Sequence, residues 1–187
     1  MNYKTFTAKN LKIELDELLT KYNQKTYQKT DPVQFVYKFK KLQDREIAAF
    51  VSAAFAYGRV ENIISSLEKI FSLFYDTSII AVLANKKNCP KIENALTNFK
   101  HRFNNGADAA ALIYALAECS IKYGSLEKMF LYYWQNLKND YLLSLINFAN
   151  EIKSTIQKKI TEEKLTKKTK NPFFLITPPK KNNTAKR

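Results

Sequence analysis

Glycine is nearly absent from this chain, at three residues in 187, and proline is scarce at five. So few turn formers argue against an antiparallel β architecture and favour helices joined by short polar connections. Two cysteines are too few for a disulfide framework, a four-ligand metal site or an iron–sulfur cluster. Cys89 falls in an expected loop and Cys119 on a helical face. A single histidine excludes a two-histidine metal site. No apolar run approaches the ~18 residues of a membrane span, and the N-terminus lacks the apolar core of a signal peptide. The expected location is therefore cytoplasmic. Glycine-rich phosphate loops are also absent, so no cofactor, metal or catalytic residue is assigned.

What the chain does have is apolar mass and positive charge. Apolar residues make up 45% and aromatics 13%, enough to bury a substantial core in one domain. The formal net charge is +14, which points to a polyanionic partner, nucleic acid before an anionic membrane surface. The excess is uneven. Residues 151–187 hold 11 Lys/Arg against 3 Glu, and residues 1–150 hold 20 against 14. A solvated lysine-rich tail is the plainer reading of the same numbers.

Helical spacing and cap residues recur along the chain. Asn10 is the expected cap of a helix with Leu11, Leu15, Leu18, Leu19 and Tyr22 on its apolar face. Asp31-Pro32 opens a short helix through Val33, Val36 and Phe39. Asp44 is read as the cap of DREIAAFVSAAFAYG, whose buried face is Ile47, Phe50, Val51, Ala54 and Phe55. Gly58 suits a left-handed position at that helix's C-terminus. A strong stripe runs from Val60 to Phe74. Asp76 or Thr77 caps a short helix through Leu83, and Pro90 starts another carrying Ile92, Leu96 and Phe99. Asp108 is the expected cap of a helix ended by Gly124, and Ser125 opens SLEKMFLYYWQNL, whose aromatics point to burial. Asp140 opens a long last helix, which fades into a lysine-rich linker. These segments make an all-α array of about eight helices with no strand. Residues 1–165 form the helical domain and residues 166–187 a basic linker and terminal segment.

Three candidates for chemistry or binding stand out. Asp44 and Glu46 could pair for acid–base work, but residues two apart on a helix diverge, so a cap and an ion pair with Arg45 is the preferred reading. In FKHRF, at 99–103, Lys100 and Arg102 alternate with Phe99 and Phe103, a pattern suited to nucleic acid. Packing of Phe99 on Phe103 explains it more simply, and His101 is placed at a surface or phosphate-facing turn. The Tyr132-Tyr133-Trp134 cluster is read as core.

DREIAAFVSAAFAYGRVENI at 44–63, FKHRF at 99–103 and YGSLEKMF at 123–130 together resemble a bacterial family of conserved hypothetical proteins. That family is similar to the helix-hairpin-helix DNA glycosylases and their lyase relatives. The resemblance covers most of residues 30–187. It implies a DNA-glycosylase-like fold and duplex DNA as the partner, with neither a membrane nor a small-molecule cofactor. In glycosylases of this kind a turn between two helices lies against DNA. Tyr57 would then be the stacking or wedge residue, Gly58 would allow close backbone approach, and Arg59 would contact phosphate. The plainer alternative keeps Gly58 as a cap, Tyr57 as a core-edge aromatic and Arg59 as a surface charge. PFFLITPPKKNNTAKR resembles the start of the hairpin, with Lys180, Lys181 and Asn182 at a phosphate-binding helix N-terminus and Lys186 near a Schiff-base lysine position. The family's following Asp-bearing motif is missing, so the resemblance implies a C-terminally truncated, non-catalytic form that ends inside the helix-hairpin-helix. Two other expectations compete with it. One is a helical interaction scaffold whose basic tail binds RNA or an acidic protein. The other is an unstable product with Phe173, Phe174, Leu175 and Ile176 exposed.

Overall fold

The computed structural model describes residues 7–24, 28–162 and 168–178. Among these residues the chain forms eight α-helices: α1 (Ala8–Tyr22), α2 (Leu42–Ala54), α3 (Val60–Phe71), α4 (Ile79–Ala84), α5 (Cys89–Ala95), α6 (Gly106–Tyr123), α7 (Leu126–Asn136) and α8 (Tyr141–Glu162). Short 3₁₀ turns lie between them, including η1 (Pro32–Lys38), η2 (Ser72–Phe74) and η3 (Lys86–Asn88), and η4 (Pro172–Leu175) follows α8. The all-α array is the architecture found. One hairpin interrupts it: Lys100–His101 pairs antiparallel with Asn104–Asn105. Two-residue strands are too short to leave an alternation in the sequence, which explains why no strand was expected.

The core is built around α6. Thirteen of its 18 residues are buried, including Ala109, Ala110, Ala111, Ala115 and Ala117. A helix apolar on all sides belongs inside, and its alanines let α2, α4, α7 and α8 pack close to it. Gly124, at φ +89°, ends α6 as expected, and Ser125 opens α7 by accepting from the Lys128 N–H. At the other end the helix begins at Gly106. A Cβ there would lie 1.8 Å from the carbonyl oxygen of Leu96.

Several caps differ from the sequence reading. Thr7, not Asn10, caps α1, and Ser78, not Asp76 or Thr77, caps α4. Asn105 caps α6, with Asp108 as the reciprocal partner three residues inside it. Lys41 is the N-cap of α2. Asp44, buried within the first turn, instead accepts from the Ile80 N–H of α4 at 3.0 Å. Glu46 accepts from the Leu126 N–H of α7 at 2.8 Å, and Gln43 donates to the Gly124 carbonyl at 2.6 Å. The first turn of α2 therefore satisfies the orphan ends of three other helices. No acid–base pair forms, and Arg45 lies over the Tyr37 ring instead of pairing with either carboxylate.

Burial differs in places too. Asp31 caps η1, where Phe35 is fully buried and Val33 exposed. Cys89 is the first residue of α5 and is buried. None of α1 is buried, and Leu11, Leu15, Leu18, Leu19 and Tyr22 all face solvent. On α7 only Leu126 and Met129 are buried, with Tyr132 exposed. Leu175 and Ile176 are buried, and η4 packs on α6, so residues 172–176 contribute to the core.

Gly106→Ala tests the tightest approach in this packing. At a first helical position the alanine gains at most ~1 kcal/mol of propensity, while forcing α6 from the Leu96 carbonyl should cost about 2–4 kcal/mol. Urea denaturation should show the variant clearly less stable. An unchanged midpoint would contradict the packing.

Candidate nucleic-acid interface

The chain leaves α2 at Ala54, with buried Phe55 as its C-cap. Gly58 comes later, in the connection to α3, at φ +110°. It therefore does not cap α2. Its positive φ turns the chain into Arg59, the N-cap of α3, whose side chain caps no N–H. Val60, Glu61 and Asn62, the first turn of α3, are exposed.

FKHRF forms the hairpin. Phe99 leads into it, buried against Phe55 with ring centroids 5.8 Å apart. Arg102 and Phe103 make the two-residue tip, with Arg102 at φ +49°, as such tight turns require. Phe99 and Phe103 do not pack together, as a helix would have had them. Phe103 is 53% exposed, the guanidinium of Arg102 lies 5.5 Å from its ring centroid, and the Phe174 ring centroid lies 5.6 Å from it.

Loop and hairpin meet. A Cβ on Gly58 would lie 3.3 Å from Cδ of Arg102, so the arginine stem runs across the glycine. This brings Gly58, Arg59, Lys100 and Arg102, all exposed, onto the loop and hairpin. Among the described residues none of the three cations has an ion-pair partner.

A buried polar network supports this pair of turns. His101 is 3% exposed, not at the surface as expected. Its Nε2 lies 3.0 Å from the Tyr57 carbonyl, which can only accept, so Nε2 carries the proton. Nδ1 then accepts from Ser66 Oγ at 2.8 Å. Burial pushes the imidazole below its ordinary pKa, the bond to Tyr57 opposes this, and the Arg102 charge reinforces it. Tyr57 is half-buried. Its ring stands edge-on to His101 and Phe174, with centroids 4.6 and 5.2 Å away. Its hydroxyl donates to Asn104 Oδ1 at 2.6 Å. Tyr57 therefore braces the loop from a half-buried position.

Asn104 donates onward to Asp108 Oδ2 at 3.1 Å and to the Asn171 carbonyl at 2.8 Å. Asp108 is fully buried. Its Oδ1 accepts from the Lys170 N–H at 2.8 Å and the Asn171 N–H at 3.2 Å, and its Oδ2 also accepts from the Asn105 N–H at 3.0 Å. Asn171 closes the circuit by donating to the Phe103 carbonyl at 2.9 Å. The segment 168–176 is thus a strap over the hairpin.

Sequence reasoning missed Asn104, Asp108 and Asn171 as site-forming residues. The Asn105–Asp108 capping box was the one available signal, and it points only to a helix start. Lys180, Lys181, Asn182 and Lys186 lie outside the described residues. Among the described residues no group of three or more His, Cys, Asp or Glu side chains could hold a metal ion. No helix among them is long and apolar enough to cross a membrane.

Asp108→Asn turns an acceptor into a donor facing N–H groups and should cost about 2–4 kcal/mol in urea denaturation. Asn171→Ala should cost about 1–2 kcal/mol, because the carboxylate keeps its other donors. His101 gives a pH test. Its folded-state pKa lies below the unfolded value, so the unfolded chain binds the proton first on acidification. Stability should be full above the ordinary 6.5 and fall as pH drops below it. A one-histidine NMR titration should place the native imidazole under 6.5, and a midpoint at or above it would contradict the burial.

No curated protein and no solved structure matches the chain. The family model described as "Protein of unknown function (DUF2400)" matches residues 31–187. The loop, the hairpin and the strap all lie inside the match, and α1 lies before it. With most of the chain covered, the protein belongs to the DUF2400 family.

Proposed function

We propose that this chain binds duplex DNA through the surface made by the α2–α3 loop and the hairpin tip. The observation that carries this reading is the approach of the exposed Arg102 side chain at the hairpin tip to Gly58 in the α2–α3 loop, next to exposed Arg59. Two basic stretches more than 40 residues apart thus meet at Gly58 and Arg102, with a buried network beneath them. Arginines without acidic partners suit phosphate, and the exposed first turn of α3 adds outward N–H groups. Glu61 is the acidic residue of that turn and opposes the cations. Phe103, 53% exposed, is the apolar projection proposed as the wedge, with half-buried Tyr57 behind the loop. The net charge of +14 favours polyanions generally. The choice of duplex DNA in particular rests on the resemblance read from residues 44–63, 99–103 and 123–130 of the sequence. Lys180, Lys181, Asn182 and Lys186 add basic and polar groups to the same proposal.

A second reading, a helical interaction scaffold, is favoured by α1, whose large apolar residues are all uncovered. In that reading the basic tail binds RNA or an acidic protein.

Anisotropy titrations with a short duplex carrying an abasic-site analogue, across a salt series, separate the two. Arg59→Ala and Arg102→Ala should each weaken binding several-fold and each lower the salt slope by about 0.9, the value of one phosphate contact. Phe103→Ala should weaken binding to the abasic duplex more than to the intact one. No binding at low salt, or loss only when residues 164–187 are removed, would overturn the DNA surface.

A further inference from the structure

Helix α1 is capped at both ends and buried at neither. Thr7 accepts from the Asn10 N–H, and the Asn23 N–H donates to the Leu19 carbonyl. None of its 15 residues is buried, and an isolated helix of that length is marginal in water. We infer that α1 pairs antiparallel with α1 of a second copy of this chain, making a reversible dimer through Leu11, Leu15 and Leu18.

The three leucines recur at intervals of four and three, the spacing of a coiled-coil seam, with Ala8 and Tyr22 in the same register at its ends. All three are exposed. Lys12 and Leu19 flank the seam on one side, and Glu14 and Lys21 on the other. In an antiparallel pair each flank meets its own kind. With Leu15 facing Leu18 of the second copy, Glu14 of either helix lies beside Lys21 of the other, so two ion pairs form. Among the described residues neither Glu14 nor Lys21 has an ion-pair partner, whereas Lys12 pairs with Asp16 inside the helix. The Lys21 ammonium lies 5.2 Å from the Tyr22 ring centroid, beside the seam.

Charge selects this occupant and this direction. Helix α1 holds three lysines and three carboxylates, a net charge of zero, in a chain of +14. A neutral helix has no net attraction for anionic lipid or for an acidic protein, while its alternating signs match a reversed copy of itself. Parallel pairing would set Glu14 against Leu19 and form no ion pair. It would also bring two strongly positive bodies together, since the rest of the chain follows Tyr22. Antiparallel pairing places those bodies at opposite ends of a helix ~22 Å long.

The test is sedimentation velocity of the full-length chain from about 1 μM to about 1 mM, the span in which so short an interface should act. The chain should pass reversibly from monomer to dimer. Leu15→Asp should keep it monomeric throughout, with the NMR spectrum of the body unchanged, because no α1 residue lies in the core. Glu14→Lys and Lys21→Glu each set like charges together at both ends of the seam and should each weaken the dimer about tenfold. An equimolar mixture of those two variants should dimerise as tightly as the unmodified chain, because every lysine then meets a glutamate across the pair. A chain monomeric at the highest concentration, a dimer that survives Leu15→Asp, or a mixture no tighter than either variant alone would overturn the pairing. No outcome depends on whether the chain binds DNA.

Discussion

A fully buried carboxylate, that of Asp108, is the constraint on which the basic surface depends. Burying a charge without partners is costly, so its two oxygens must be met by donors wherever the chain can bring them. Four come from the hairpin and the strap: the Asn105 and Lys170 N–H groups, the Asn171 N–H and the Asn104 amide. Satisfying one residue thus ties the hairpin at 104–105 to the strap at 170–171, which is distant in sequence. The hairpin cannot turn away without stranding Asp108, and the strap cannot lift without also releasing Asn104 and the Phe103 carbonyl.

The same economy of polar groups runs through the helices. Gln43, Asp44 and Glu46, in one turn of α2, serve the ends of α4, α6 and α7. The alanine-rich α6 then fills the space that these caps define. Aromatic edges complete the join between loop, hairpin and strap, through Phe55, Tyr57, His101, Phe103 and Phe174. Rigid support beneath exposed arginines matters for function, because a preorganised cation loses less freedom on meeting a phosphate.

Local chemistry was legible in the sequence where it acts locally. Ser125 after Gly124, and Asp31 before Pro32, mark helix ends through their own neighbours, and both stand where the spacing put them. Asp44 and Asp108 carry the same signature of an acid near a helix start, yet Asp44 serves α4, and Asp108 serves the strap as well as its own capping box. Nothing in a one-dimensional pattern tells a carboxylate which N–H it will meet. Tyr57 looked available because the residues that cover it, His101 and Phe174, lie 44 and 117 positions away. Helix α1 shows the converse, since its periodicity revealed an apolar face but could not say that the described body leaves it uncovered.

The functional reading stands on the juxtaposition of two basic turns over that network, and it can be mapped residue by residue. The most direct measurement is a heteronuclear NMR titration of the full-length chain with a short DNA duplex at low salt. Amide shifts concentrated at residues 57–62 and 100–104, with α1 and α8 unchanged, are the expected result. Shifts scattered over the surface lysines, or centred away from the loop and hairpin, would contradict it.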